Sequence, residues 1–315
     1  MAVAQQQQQT LPAEAARQRW WRRRPRRRRG DPLWVKLFVY AVLIVGGVVF
    51  MAPWAWMVVA SFKHLSEMFS WPPTWVPHNP TLSNYTRFLQ SENVWRWFAN
   101  SAFVTGTIVT LQTFFAALAA YCYAKRTFPL RETTFIMGLG TLAVPAAVFL
   151  IPNYLVLKHI PLFGGNDVLG QGGHGWLDSY WGLIVPNLGN MVSIFLLRQY
   201  MRTIPDELID AAKIDGAGHF RIFWKIVLPL SRPAVAACAI FAFNFYWNDF
   251  LGPLIIISSS DHYTVPLGLA LFVVKNRTAW DLVMAGSVLA TLPVLIVFLA
   301  FQRHFVRGIS ISGLK

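Results

Sequence analysis

Six long runs of mainly apolar residues divide this chain: Leu33 to Ser61, Phe98 to Ala124, Thr133 to Leu157, Tyr180 to Leu197, Ala234 to Ile257 and Leu282 to Phe301. Roughly 20 such residues cross about 30 Å of hydrocarbon as a helix. A backbone in lipid must satisfy its own hydrogen bonds, so each run is expected to be helical. With 55% hydrophobic and only 13% charged residues, an ordinary soluble domain is excluded. The expected fold class is all-α, a polytopic membrane protein with six transmembrane helices over residues 33–302, preceded by an arm (1–32) and followed by a tail (303–315). The fourth run is short and carries Pro186, Asn187 and Asn190, but without it the next loop would fall on the wrong side.

Lys and Arg in alternate loops set the orientation. With the N-terminus inside, 21 of them lie in inner segments and 6 in outer ones, and the nine arginines of the arm do not decide the outcome. Both termini are expected in the cytoplasm. The arm holds a glutamine run, Gln5 to Gln9, and RRRPRRRR from Arg22 to Arg29, neither of which builds a core. Its arginines suit contact with anionic lipid headgroups, and without an aromatic-interleaved groove or folded module nucleic-acid binding is not expected. The first run is too long for a secretory signal. Cys122 and Cys238 stand alone inside spans and read as packing residues, and no metal-ligand cluster is present in the sequence.

Between the fourth and fifth runs lies the polar, amphipathic stretch TIPDELIDAAKIDGAGHFRIFWKIVLPLSRP, from Thr203 to Pro233. Thr203 and Asp206 have capping-box spacing and Pro205 fits a first turn, which predicts a short helix to about Ile214 with Leu208, Ala211 and Ala212 as its apolar stripe. Gly216 just beyond predicts a left-handed turn. A second helix is expected to show Phe220, Phe223 or Trp224, and Val227 on one face, Arg221 and Lys225 outside, and to end at Pro229. By periodicity alone this could be an interfacial anchor.

Asp210-Ala211-Ala212, three residues, Gly216, nine residues and Ile226-Val227-Leu228-Pro229 together resemble the EAA loop of ABC importer permeases, with Asp210 where the family usually carries Glu. The resemblance covers nearly everything after the arm. It looks like the maltose-type second permease of the carbohydrate branch in PWAWMVVASFK ending at Lys63, LAAYCYAKRTFP ending at Pro129, YWGLIVP ending at Pro186, FLLRQY ending at Tyr200, YWNDFLGPL ending at Leu254 and YTVPLGL ending at Leu269, and the tail FVRGISISGLK resembles the family's tail. It implies the type I ABC importer permease fold in a bacterial or archaeal plasma (inner) membrane. It also implies that residues 203–229 dock on a cytoplasmic ATPase dimer through Glu207, Asp210, Ala211, Ala212, Asp215, Gly216 and Ala217. No glycine is followed by lysine, so a P-loop is absent. The chain is expected to be non-catalytic and without a cofactor, with ATP and Mg on the partner ATPase. Further implied partners are a homologous second permease in a heterodimer, an extracytoplasmic solute-binding protein and a sugar substrate.

The fifth run contains Asn244, Tyr246, Trp247, Asn248 and Asp249, and polar groups at membrane depth normally face a bundle interior or a water-filled path. Asn244 and Asn248 share a helix face. A sugar would suit it, with amides for hydroxyls and Trp247 or Tyr246 for stacking; interhelical bonding between permease subunits explains the same residues, and Asp249 could instead cap. In the glycine-rich outer segment Pro161 to Ser179, His174 and Asp178 read as solvated rather than as contacts to a binding protein.

The expected function is therefore ATP-driven import of a sugar or oligosaccharide delivered by a solute-binding protein. A permease for another polar solute, such as a glycerol phosphate, is the alternative. An ion-coupled secondary transporter would need intramembrane acids, nearly absent apart from Asp249, and an intramembrane enzyme would need motifs such as HExxH or GxSxG that are missing.

Overall fold

The computed structural model describes residues 32–91, 93–274 and 278–312; the arm's glutamine and arginine runs and the last residues of the tail lie outside them. Among the described residues the secondary structure is entirely helical. The chain divides into a first unit ending at Trp54 and a second from Ala55 onward. From Leu33 on, the described part of the first is helical and belongs to α1 (Leu33–Ser61), whose bounds are those of the first apolar run.

In the second unit α2 (Val94–Lys125) is the central post, packing against α5 (Met191–Arg202) and α7 (Arg232–Trp247), while α7 also packs against α8 (Trp280–Ser312). Its buried residues, among them Val94, Trp97, Ser101, Thr105, Ile108, Gln112, Ala116 and Ala120, recur every three or four positions. That period places them on one inward face. Ala116, Ala117 and Ala120 sit with Leu197 and Met201 in one apolar cluster, where small side chains allow close helix approach.

Among the described residues three helices are continuous and apolar enough to span: α1, α2 and α8 up to Gln302. The other three expected spans are broken. In the third, α3 (Arg131–Gly140) continues as a tighter turn to Ala143 and meets the Ala146–Lys158 segment, which includes α4 (Leu150–Lys158), at 95°. Pro145 is the cause: the residue before a proline is pushed out of the helical region, and Val144 is extended at φ −87°, ψ 123°. The fourth bends by 40° between Tyr180–Asn187 and α5, where the Asn190 side chain caps α5 by accepting from Ser193 N at 2.9 Å. The fifth is not continuous from Ala234 to Ile257. It stops at Trp247 and resumes as Leu251–Ile256, with Asp249 Oδ1 accepting from Gly252 N at 3.2 Å.

The two ends of α2 grip different loops. At its start Asn100 donates to the carbonyls of Asp261 and Tyr263 and accepts from Tyr180, and Ser101 Oγ accepts from Val265 N. The same end carries a clamp at Asp178, where the sequence suggests a solvated loop residue. Asp178 Oδ1 accepts from Ser258 N, Ser259 N and Ser259 Oγ at 2.9–3.1 Å, and His262 Nδ1 lies 3.5 Å away. Burial alone would raise the Asp178 carboxyl, but these backbone and hydroxyl donors together with His262 bring it below the ordinary carboxylate value.

Candidate coupling loop and membrane polar face

At the other end of α2 lies the motif loop. α6 (Asp206–Ile214) spans the predicted residues, but its start is built differently. Thr203 does not cap it: its hydroxyl donates back to Tyr200 O, closing α5, and Pro205 occupies the N-cap position without a side-chain bond. Asp206 is drawn instead to Lys125, whose buried Nζ donates to Asp206 Oδ1 at 2.7 Å and to Ile204 O at 2.6 Å. A cation at the end of α2 therefore fixes the entry to α6.

The far end of α6 closes on glycine as expected. Gly216 has φ +76°, Ala217 N donates to Ala212 O at 2.9 Å and Gly216 N to Lys213 O at 3.0 Å. This pair of bonds is the Schellman ending, satisfying two carbonyls that the helix leaves open. A Cβ at Gly216 would meet nothing within 4 Å, so backbone conformation alone requires the glycine.

The face of α6 differs from the predicted stripe. Ile209 and Ala212 are buried among Ala116, Ala120, Leu197 and Phe223, whereas Leu208 and Ala211 point outward. With them on the exposed side stand Glu207, Asp210, Asp215 and Ile214, the last 87% exposed. Asp210 is already paired with Lys213 at 2.8 Å, so its carboxylate is not free in this state. Ala217 is half-buried against the core.

The second helix also turns differently. It begins at His219, changes to a π-helical turn over Phe223–Val227, and continues through Leu228–Leu230. The wider turn buries Ile222, Phe223 and Val227 and leaves Phe220 and Trp224 exposed and stacked on each other at 6.2 Å. Pro229 lies inside this segment and does not end it. After Ser231 the chain bends by 78° into α7, whose Pro233 sits in the first turn, where a missing N–H is harmless.

Two further residues support this end, Arg198 and Glu132, and the sequence points to neither as a structural anchor. Arg198, buried on α5, donates to both oxygens of Glu132 at 2.7 and 2.8 Å, to Tyr123 O at 3.3 Å, and lies 3.9 Å from the centre of the Phe135 ring. It joins α5, α2 and α3. A basic residue directly after the apolar Ile194–Leu197 was the available signal.

The five polar or aromatic residues of the fifth run are separated by the fold. Trp247 is buried, donates from Nε1 to Ala290 O at 2.9 Å and stacks on Phe243, so it holds α8 to α7 and is not an open stacking platform. Tyr246 OH accepts from Gln112 Nε2 at 3.0 Å and contacts Asn187 O at 3.4 Å, which ties it into the neighbouring helices. Asp249 serves the Leu251–Ile256 turn. Asn244 and Asn248 remain on an exposed face, with Asn248 Nδ2 donating to Asn244 O at 2.7 Å. Beside Asn244 runs a groove of about 390 Å³ between α7 and α8, lined by Phe243, Thr291, Leu295 and Phe298 among others.

Residues 112–311 match the model of the family described as binding-protein-dependent transport system inner membrane component. The chain belongs to this family. It is 32% identical over 262 residues to the arabinooligosaccharides transport system permease protein AraQ of Halalkalibacterium halodurans, covering 82% of this chain and 89% of the relative. Over 284 residues it is 32% identical to the sn-glycerol-3-phosphate transport system permease protein UgpE of Escherichia coli, covering 88% and 96%. A bacterial ABC transporter that imports the acidic polysaccharide alginate has a subunit of the same fold, with TM-score 0.73 at 22% identity over 86% of this chain and 96% of that one. This binding-protein-dependent permease is thus a multi-pass inner-membrane transport component of the type I importer fold.

Proposed function

We propose that this permease conducts a sugar or oligosaccharide into the cytoplasm as one half of a heterodimer, powered by a separate ATPase dimer that binds α6. Both termini and the motif loop face the cytoplasm in this reading, following the distribution of Lys and Arg. ATP and Mg belong to the ATPase, and this chain contributes conformational change only. The observation that carries the proposal is α6 itself. Its root is fastened by Lys125 and by Ile209 and Ala212 in the core, while Glu207, Leu208, Asp210, Ala211 and Ile214 face outward. A helix so rooted transmits a push from a docked partner to α2, α5 and α7.

The exposed amides of Asn244 and Asn248 suit hydroxyl groups. UgpE favours a second reading, a glycerol phosphate. Against it, α7 beyond Arg232 carries no Lys or Arg to neutralise a phosphate. The test is reconstitution with the ATPase, the second permease and the solute-binding protein, followed by uptake of labelled oligosaccharides and of glycerol phosphate. ATP-dependent oligosaccharide uptake that is lost in Ala211→Trp, with the chain still folded, is the expected result. Uptake that survives ATP depletion overturns ATP coupling, and uptake of the phosphate ester alone overturns the sugar assignment.

A further inference from the structure

The loop that follows α1 is shaped as an anchor. Its two ends are closed on the last turn of that helix: Thr81 N donates to Phe62 O at 2.9 Å, and Asn84 Nδ2 donates to Ser61 O and Lys63 O at 2.9 and 2.8 Å. A loop closed in this way stays near the level where the apolar helix ends. It also folds back along the helix. Trp75 packs edge-on against Trp56 with ring centres 5.2 Å apart, and Trp56 lies about 8 Å below Ser61 along the helix axis.

Lys63, Glu67 and Thr74 of this loop are spent on one another. Lys63 is buried, donates to the carbonyl and hydroxyl of Thr74 and lies 4.7 Å from the centre of the Trp56 ring. Glu67 accepts from Thr74 Oγ1 at 3.1 Å and from His78 N at 3.0 Å. Within residues 69–76 the large side chains turned outward are apolar: Phe69, Trp71, Trp75 and Val76, with Trp71 91% exposed, while the exposed polar His64, Ser66, His78 and Asn79 flank that stretch. Between this loop and the start of α8 lies a cavity of about 210 Å³, walled by Trp56, Met68, Phe69, Trp280 and Met284 with Lys63 as its cation.

We propose that residues 69–76 are an interfacial anchor whose partner is phospholipid, seated at the headgroup–acyl boundary of the leaflet in which α1 ends. Tryptophan and other amphipathic aromatic rings gather at that boundary, and the burial of Lys63, with Glu67 already hydrogen-bonded within the loop, lowers the cost of placing it there. Continuity with α1, whose flank it covers at Trp56, selects lipid over a soluble partner. This inference rests on the chain being an inner-membrane protein and is independent of the substrate.

The test uses the full-length chain with Cys122→Ala and Cys238→Ala, carrying Trp71→Cys or, as a control on the same loop, Asn79→Cys. Each is labelled with an environment-sensitive dye and reconstituted in phosphatidylethanolamine vesicles with a minor fraction of phosphatidylglycerol. At position 71, lipid bearing a nitroxide near the headgroup is expected to quench about half of the emission, with aqueous iodide having little effect. Position 79 is expected to show the reverse. Iodide quenching at 71 equal to that at 79 overturns the proposal. Shielding of position 71 from both quenchers also overturns it, because a protein surface then occupies the patch. A thermal transition matching the unlabelled chain confirms that each variant is folded.

Discussion

Lys125 and Asp206 are 81 positions apart and meet at 2.7 Å, the lysine side chain buried and the aspartate largely exposed. The asymmetry fixes which partner matters. Lys125 also holds Ile204 O, a bond that Asp206 does not share. Lys125→Met is therefore expected to destabilise the loop by about 1–3 kcal/mol by leaving a carbonyl without its donor. Asp206→Asn, at the exposed end of the pair, should lose no more than about 1 kcal/mol. Thermal unfolding of both variants, with ATPase stimulation in the assembled transporter, checks the order.

Gly216→Ala is expected to cost about 1–2 kcal/mol through its left-handed backbone alone, since the space for a Cβ is open. Gly216→Asn should recover much of that loss, because Asn tolerates this conformation. If crowding governed the site instead, the larger Asn would be the worse variant, so thermal midpoints distinguish the two.

Removing Arg198 should be more damaging than removing Glu132. Arg198→Leu leaves Tyr123 O and the Glu132 carboxylate without this donor and takes a guanidinium from beside Phe135, for a loss of about 2–3 kcal/mol. Glu132→Gln keeps an acceptor, and its half-exposed position lets water compensate. Denaturation midpoints in one detergent suffice, and equal losses would contradict the geometry.

The Asp178 clamp predicts an acid-sensitive loop contact. Its folded pKa is lowered, so the stabilisation is fully present above the unfolded value of about 3.9 and is lost as pH falls through the folded value. Hydrogen exchange at Ser258 and Ser259 should accelerate below about pH 4 in the wild type relative to a reference amide. In Asp178→Asn that acceleration should disappear, with exchange already faster at neutral pH.

Asn244→Ala and Asn248→Ala are expected to raise the apparent KM for sugar about two- to tenfold, corresponding to loss of roughly 0.5–1.5 kcal/mol of hydrogen bonding each. Assembly with the second permease should be unchanged by size-exclusion chromatography. A defect in assembly with unaltered KM would assign the amides to the subunit interface.

Much of the architecture was carried by local sequence. Apolar length marked six candidate spans, three of them continuous helices among the described residues and three bent, because lipid leaves a backbone no alternative to internal hydrogen bonding. Gly216 marked its turn, because the left-handed conformation penalises a Cβ wherever the chain goes next. The family was legible too, since the spacing from Asp210 through Gly216 to Pro229 survives in one dimension. Tertiary structure decided which faces are used. Asp206 looked like half of a capping box until Lys125, distant in sequence, took it, and Thr203 closed the helix before it. Ile209 displaced Leu208 from the buried face because the core made by α2 and α5 lies on that side. Trp247 looked available to a ligand until Ala290 O claimed its N–H. Periodicity gives the angle between side chains on one helix, but the direction of the core is set by other helices, and a local sequence contains no record of it.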